Sequence, residues 1–212
     1  MTGRQILTVI LTAGLTFSTS TFGADWPQWR GPFLNGSTIE KGLAASWSKA
    51  ENIAWVSPLP GPSAATPIVC NGRVFISSAE KKGTKNVFAL CLDAKTGKEL
   101  WRKKFVTAGR RIRRNNMATP SPVTDGKMVL FLYGSGDFVG LDYEGNIIWS
   151  RNIEKEYGNI SIKFGYSSSP LLYDGKIYVL VQRRDKAYRK PKSDTPLDSF
   201  LLGVTVKKLF LY

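Results

Sequence analysis

The chain has no histidine among its 212 residues, so the side chain that most often serves as general base and metal ligand at neutral pH is missing. Serine triads built on an imidazole go with it. Two cysteines remain, Cys70 and Cys91, and they form neither a CxxC nor a vicinal pair. Gly134-Ser135-Gly136-Asp137 is glycine-rich, but it lies between two β-rich runs and opens no helix. It therefore reads as a hairpin turn and not as a phosphate cradle. The residues that stand out by type and spacing are Asp93, Thr96, Gly97 and Trp101, followed by Asp142, Gly145 and Trp149. An Asp at the head of such a turn accepts bonds from N–H groups further on, and the Gly takes the left-handed conformation. This is structural chemistry: it fixes a turn and aims an indole.

These residues recur because the segments that hold them recur. One copy runs Ala65-Thr66-Pro67-Ile68-Val69-Cys70-Asn71-Gly72-Arg73-Val74-Phe75-Ile76 and then Phe88 to Trp101. A second runs from Ser121-Pro122 through Asp125-Gly126 to Trp149, and a third opens Ser169-Pro170-Leu171-Leu172-Tyr173-Asp174-Gly175. Gly72, Gly126 and Gly175 lie 54 and 49 residues apart; Trp55, Trp101 and Trp149 lie 46 and 48 apart. A period near 50 built of short strands signals a radial β-repeat, the blades of a propeller. The alternative is a β-sandwich that happens to repeat its turns. The expected fold is all-β, with blades of four antiparallel strands. Two complete blades cover about 65–105 and 118–153, and a partial third covers 165–212, leaving the ring incomplete. Asn71-Gly72, Asp125-Gly126 and Asp174-Gly175 are each expected to close a two-residue hairpin. Trp101 and Trp149 should start outermost strands and pack between neighbouring blades.

Leu92-Asp93-Ala94-Lys95-Thr96-Gly97-Lys98-Glu99-Leu100-Trp101 resembles the signature of the pyrroloquinoline-quinone-like (PQQ-like) propeller repeat, Leu-Asp-x-x-Thr-Gly-x-x-x-Trp. Leu141 to Trp149 fits it one residue shorter and without the Thr. Asp25-Trp26-Pro27-Gln28-Trp29-Arg30-Gly31-Pro32 is similar to the mature start of secreted bacterial members. The resemblance covers roughly residues 25–200 and implies the fold far more than a function, because propellers host many activities. Quinoprotein dehydrogenases of this fold hold the quinone against a stacked Trp and a vicinal disulfide, with calcium on carboxylate and amide side chains. No residue here matches those positions. PQQ with calcium is implied by family analogy alone, and no cofactor, metal site or catalytic residue is expected. The expected function is a secreted binding or scaffold module. The alternative is the remnant of a quinone-dependent dehydrogenase without an intact active site.

Two blades and part of a third fall short of the four to eight that close a propeller. Residues 45–57, with Trp47 and Trp55, read as an outer strand that would complete the last blade of a ring. When Phe200 is aligned with Phe88, the motif Asp falls on Thr205 and the Gly on Leu209, and neither is present. The first expectation is a truncated or frame-shifted family member; the alternative is a short protein that finishes its ring by oligomerising through open blade edges. With that end uncapped, the Leu171, Ile177 and Val179 face of the third blade should be exposed where a fourth blade would pack.

Residues 1–24 have the layout of a signal peptide: Arg4, an apolar stretch from Ile6 to Phe17, and Gly23-Ala24. That stretch is too short, and too diluted by Thr8, Thr12 and Thr16, for a membrane span. The chain is thus expected to be exported, to the periplasm or beyond. Residues 25–60 form an N-terminal segment and 61–212 the blades. Hydrophobic residues at 42% and charged residues at 22% suit a folded domain.

Cys70 and Cys91 fall on the first and third strands of one blade, about 9–10 Å apart, too far for a disulfide. Two buried thiols are expected. The formal net charge is +14, clustered in Arg102-Lys103-Lys104, in Arg110, Arg111, Arg113 and Arg114, and in the polar insertion over 183–197. The four arginines form a candidate docking patch for an anionic partner, and the expected partner is an anionic cell-surface polymer or an unknown protein. The alternative is a set of solvated interblade loops. Aromatic residues do not interleave with these runs as a single-strand binder requires, so nucleic acid is not an expected partner.

Overall fold

The computed structural model describes residues 23–107, 115–158, 160, 165–183 and 198–205. β1 (Ile68–Cys70) turns into β2 (Arg73–Ala79) through Asn71 and Gly72, both left-handed at φ 51° and 70°. This is the turn whose twist matches a right-twisted hairpin. β3 (Asn86–Asp93) and β4 (Glu99–Val106) complete an antiparallel sheet in the order β1-β2-β3-β4. The second sheet repeats that order with β5 (Val123–Thr124), β6 (Met128–Leu132), β7 (Asp137–Asp142) and β8 (Ile147–Asn152). The third contains β9 (Leu171–Tyr173), β10 (Lys176–Arg183) and β11 (Asp198–Thr205), with β10 central. These are propeller blades, in an open arrangement. Residues 184–197, which carry most of the polar insertion, and residues 1–22, the expected signal peptide, lie outside the described residues.

The expected hairpin turns hold at both ends of the array and shift in the middle. Asp174 and Gly175 repeat the left-handed pair at φ 47° and 65°. In the second blade Thr124 pairs with Val129, as Val69 pairs with Val74 in the first, and Pro67 and Pro122 stand 55 residues apart. Gly126 therefore occupies the place of Asn71 and not that of Gly72, a correction of one residue to the spacing counted on glycines. Asp125 leaves the ladder, and its Oδ1 accepts the Lys127 and Met128 N–H groups, both at 2.9 Å. A glycine can serve either central turn position, so its identity alone does not fix the register.

One helical turn, α1 (Ile153–Tyr157), follows β8 where only strands are expected. Asn152 caps it by accepting the Lys155 N–H at 2.9 Å, and Gly158 ends it. Residues 45–57, expected as an outer strand for a blade that is absent, pair with no strand among the described residues, and their one bridge joins Ser48 to Glu51.

Burial divides by blade face. Ile68, Phe75, Val87, Ala89 and Cys91 of the first blade pack on Val129, Phe131, Tyr133, Val139 and Leu141 of the second. The opposite face of the second blade, through Val123, Leu130, Leu132, Phe138 and Trp149, packs on Ile177, Val179 and Val181. This corrects the expected exposed face of the third blade. Ile177 and Val179 are fully buried, because strand alternation turns them toward the second blade. The open face holds Leu171, which pairs with Tyr178, together with Tyr173, Leu180 and Leu201.

A strip of three residues ties the three sheets together. Trp26 exchanges backbone hydrogen bonds with Val69 of β1, at 2.7 and 3.0 Å. Pro27 accepts the Thr124 N–H of β5 at 2.9 Å, and Gln28 reaches β9. The strip crosses the first strand of every blade, which identifies these as the strands nearest the propeller axis.

Candidate functional site

The seams between blades hold most of the residues singled out in the sequence. In the first blade the Asp93 carboxylate accepts the Thr96 N–H and hydroxyl, each at 2.7 Å, and the Lys95 N–H at 3.1 Å. The Thr96 hydroxyl and backbone hold this carboxyl below its usual range. Asp142 does the same work through Glu144 and both N–H groups of Asn146, at 2.7–3.0 Å. Gly97 and Gly145 then take φ of 70° and 84°.

Each turn glycine makes room for an indole from the preceding element. A Cβ on Gly97 would lie 2.4 Å from the Trp55 ring, and one on Gly145 would lie 2.9 Å from the Trp101 ring. The indole N–H then finds the carbonyl of the residue after the motif Asp. Trp55 Nε1 donates to Ala94 O at 3.0 Å, and Trp101 Nε1 donates to Tyr143 O at 2.7 Å. The two joints are equivalent atom for atom. A β-bulge immediately before each motif Asp, at Cys91/Leu92 and Gly140/Leu141, sets the strand that carries the Trp.

Trp149 makes only half of such a joint. Its ring is buried, seated over Gly140 and edge-on to Phe138 with centroids 5.0 Å apart. Its Nε1 has no hydrogen-bond partner among the described residues. The register of β10 with β11 sets Lys176 opposite Thr205, as Arg73 lies opposite Asp93. The carbonyl equivalent to those of Ala94 and Tyr143 thus belongs to residue 206, outside the described residues.

A second joint runs nearer the axis. Thr66 N–H donates to Ser121 Oγ, and Ser121 N–H to Ser169 Oγ, both at 2.9 Å. All three residues precede the proline that heads their blade.

The motif does not point to Tyr143 or Arg73. Arg73 donates to the Tyr143 carbonyl, pairs with Glu144 and lies over the Tyr143 ring. The Tyr143 hydroxyl shares a 2.7 Å bond with Thr124 Oγ1. Much of this joint is backbone, which leaves no side-chain signature. Gln28 is likewise missed, since one buried Gln carries no pattern.

The chemistry available in these seams is poor. Cys70 and Cys91 are buried free thiols. Burial pushes Cys91 up to about 12 and Cys70 upward as well, with Asp25 3.3 Å from the Cys70 sulfur. Both are protonated at neutral pH, and a thiol is a weak nucleophile and ligand. Burial raises the Tyr143 and Tyr133 hydroxyls too. Among the described residues no three His, Cys, Asp or Glu side chains converge. Trp55, Trp101 and Trp149 stand in seams, and the two cysteines lie on separate strands, so these groups do not fit a quinone stacked between a Trp and a vicinal disulfide.

Arg110, Arg111, Arg113 and Arg114 lie outside the described residues, in the connection from β4 to β5. The Arg102-Lys103-Lys104 run on β4 is partly neutralised: Arg102 pairs with Glu99 at 2.5 Å and Lys104 with Glu80 at 3.0 Å. No helix of the described residues is long and apolar enough to cross a membrane.

Residues 32–186 match the family described as outer membrane protein assembly factor BamB. No curated protein sequence matches the chain. Solved structures that resemble it include quinohemoprotein alcohol dehydrogenase from Comamonas testosteroni, at 16% identity and a TM-score of 0.40, over 57% of this chain and 17% of that one. A europium-containing methanol dehydrogenase gives 16% identity and a TM-score of 0.38, over 55% and 19%. BamB from Moraxella catarrhalis gives 15% and 0.34, over 70% of this chain and 46% of that chain. The chain thus spans less than half the length of each of these proteins.

Proposed function

Because this chain belongs to the family described as outer membrane protein assembly factor BamB, we propose that it is an exported binding or scaffold module and not a catalyst. Its partner is a protein or an anionic cell-surface polymer. The observation that carries this reading is how the buried polar groups are used. The indoles of Trp55 and Trp101, the Arg73 guanidinium and the Gln28 amide all join one blade to another or to the N-terminal segment. What remains for function is the surface, where a formal charge of +14 favours an anionic partner. The arginine quartet belongs to the connection that leads from the outer edge of one blade to the first strand of the next. Guanidinium forks in such a place suit carboxylate or phosphate groups.

Retention on an acidic polysaccharide column tests this. The wild-type chain should be retained and should elute earlier as salt rises. Arg110→Gln, Arg111→Gln, Arg113→Gln and Arg114→Gln combined should elute near the void with an unchanged circular dichroism spectrum. Equal retention of the two proteins would remove the quartet from the binding surface.

A further inference from the structure

The turn between β2 and β3 is longer than its counterpart in the second blade, and it is built differently. Six residues, Glu80 to Lys85, separate β2 from β3, against four between β6 and β7. The second-blade turn is buried: Gly134 N–H donates to Met117 O, and the Gly134 carbonyl accepts the Tyr166 N–H. The first-blade turn stands at the blade end with Lys81, Lys82 and Lys85 all exposed. Its own hydrogen bonds fix its shape. Glu80 N–H donates to Asn86 O, Thr84 N–H donates to Lys81 O, and Thr84 is buried. Glu80 is the one carboxylate in the turn, and it accepts from Asn86 Nδ2 and pairs with Lys104. None of the three lysines makes an ion pair among the described residues. The motif carboxylates Asp93 and Asp142 belong to turns at the opposite end of the blades. The seven residues of β2 set the separation at about 23 Å, at about 3.3 Å per residue. Charges that far apart are largely screened, since the Debye length is about 8 Å at physiological ionic strength.

We propose that Lys81, Lys82 and Lys85 form a docking site for an acidic polysaccharide, their ammonium groups meeting successive carboxylates along the polymer. The site rests on the anionic-polymer reading above and adds residues that the charge clusters of the sequence do not contain. Thr107 fixes its place. The Thr107 N–H and hydroxyl both donate to Lys85 O, at 2.9 and 3.0 Å, so the connection from β4 to β5 leaves the first blade beside these lysines. Ammonium groups are hydrated point charges on flexible stems, which suits carboxylates repeated at irregular spacing. The turn offers a protein partner no aromatic anchor of the kind that dominates protein interfaces. The second blade shows that the fold itself does not call for these residues, since its shorter turn closes the same hairpin with no lysine.

Retention of the full chain on immobilised polygalacturonate, with the four arginines intact, tests the site. Lys81→Gln, Lys82→Gln and Lys85→Gln combined should elute at lower salt than the wild type. The slope of log retention against log salt should fall by about one per ammonium lost. Lys95→Gln, Lys98→Gln and Lys127→Gln combined remove the same charge from the exposed turns at the opposite end and should elute with the wild type. Equal shifts of the two triple variants would reduce the effect to net charge and overturn the site. Elution of the first triple variant with the wild type, while the arginine variant is released early, would overturn the site and leave the arginine patch standing. A wild type that is not retained would overturn the anionic-polymer reading and the site with it.

Discussion

The Gln28 side chain makes both halves of a backbone pair with Leu172, 144 residues along the chain: Leu172 N–H donates to its Oε1 at 2.9 Å, and its Nε2 donates to Leu172 O at 3.2 Å. A carboxamide is the one side chain that can stand in for a peptide group in this way. Gln28 is buried and Leu172 is partly so, which limits the water that could replace the side chain if it is lost. Because Trp26 and Pro27 hold the first two blades on the same strip, Gln28 fixes where the third blade begins.

Gln28→Ala should therefore loosen the third blade before the others. Orphaning a buried donor and acceptor costs about 1–3 kcal/mol each. In hydrogen exchange the Leu172 amide should lose protection, while Val74 and Leu90 in the first blade keep theirs. Uniform loss across all three blades would show that the strip supports the fold as one cooperative unit.

Gly97→Ala tests the outer joint. The residue sits at φ 70°, and a Cβ there would lie 2.4 Å from the Trp55 ring. The left-handed backbone alone costs about 1–2 kcal/mol for an L residue. The indole must also leave its seat and lose its bond to Ala94, so tryptophan emission should shift to the red as the melting temperature falls. An unshifted spectrum would mean that Trp55 is not held by this turn.

The motif aspartates tie stability to acid. The Thr96 hydroxyl and backbone lower the Asp93 carboxyl; partial burial opposes ionisation at Asp142, but the Asn146 side chain and backbone outweigh it. A carboxyl whose folded pKa is depressed contributes stability above its unfolded value of about 3.9, and that stability is lost as pH falls through the folded value. Melting temperature should hold between about pH 7 and 5 and drop below about pH 4. Asp93→Asn with Asp142→Asn should flatten that drop, because Asn keeps the N–H bonds made to Oδ1 without titrating and gives up only the Asn146 Nδ2 bond to Oδ2 of residue 142.

How far the sequence reveals the fold depends on the range of each interaction. Asp93, Thr96, Gly97 and Trp101 were legible because a turn and its bulge are decided within ten residues. The same locality misled at Gly126, where a glycine in an equivalent loop occupies the neighbouring position. The sequence pattern puts Leu171 and Ile177 on one face, yet Ile177 pairs with Leu172, so strand parity sets Leu171 on the other side. The partners of Gln28 and of the Trp55 and Trp101 indoles are backbone atoms 39 to 144 residues away. Backbone carbonyls look alike in every sequence, and only the folded blades bring these into reach.

The two thiols offer a final test of the first seam. Cys70 lies on β1 and Cys91 on β3, with β2 between them, so the chain should run at the same mass with and without reductant. Cys91 is fully buried and its pKa is pushed up to about 12 by that burial, which keeps it a thiol at pH 7. A thiol reagent should then report opening of the seam and not intrinsic reactivity. In native buffer Cys91 should react more slowly than Cys70, which is 4% exposed and closer to the strand end. Both should react at once in denaturant, and Trp101→Ala, which removes the indole that locks the seam, should speed labelling of Cys91 markedly. If Cys91 is labelled in the wild type as fast as a free thiol, the first and second blades are not packed as described.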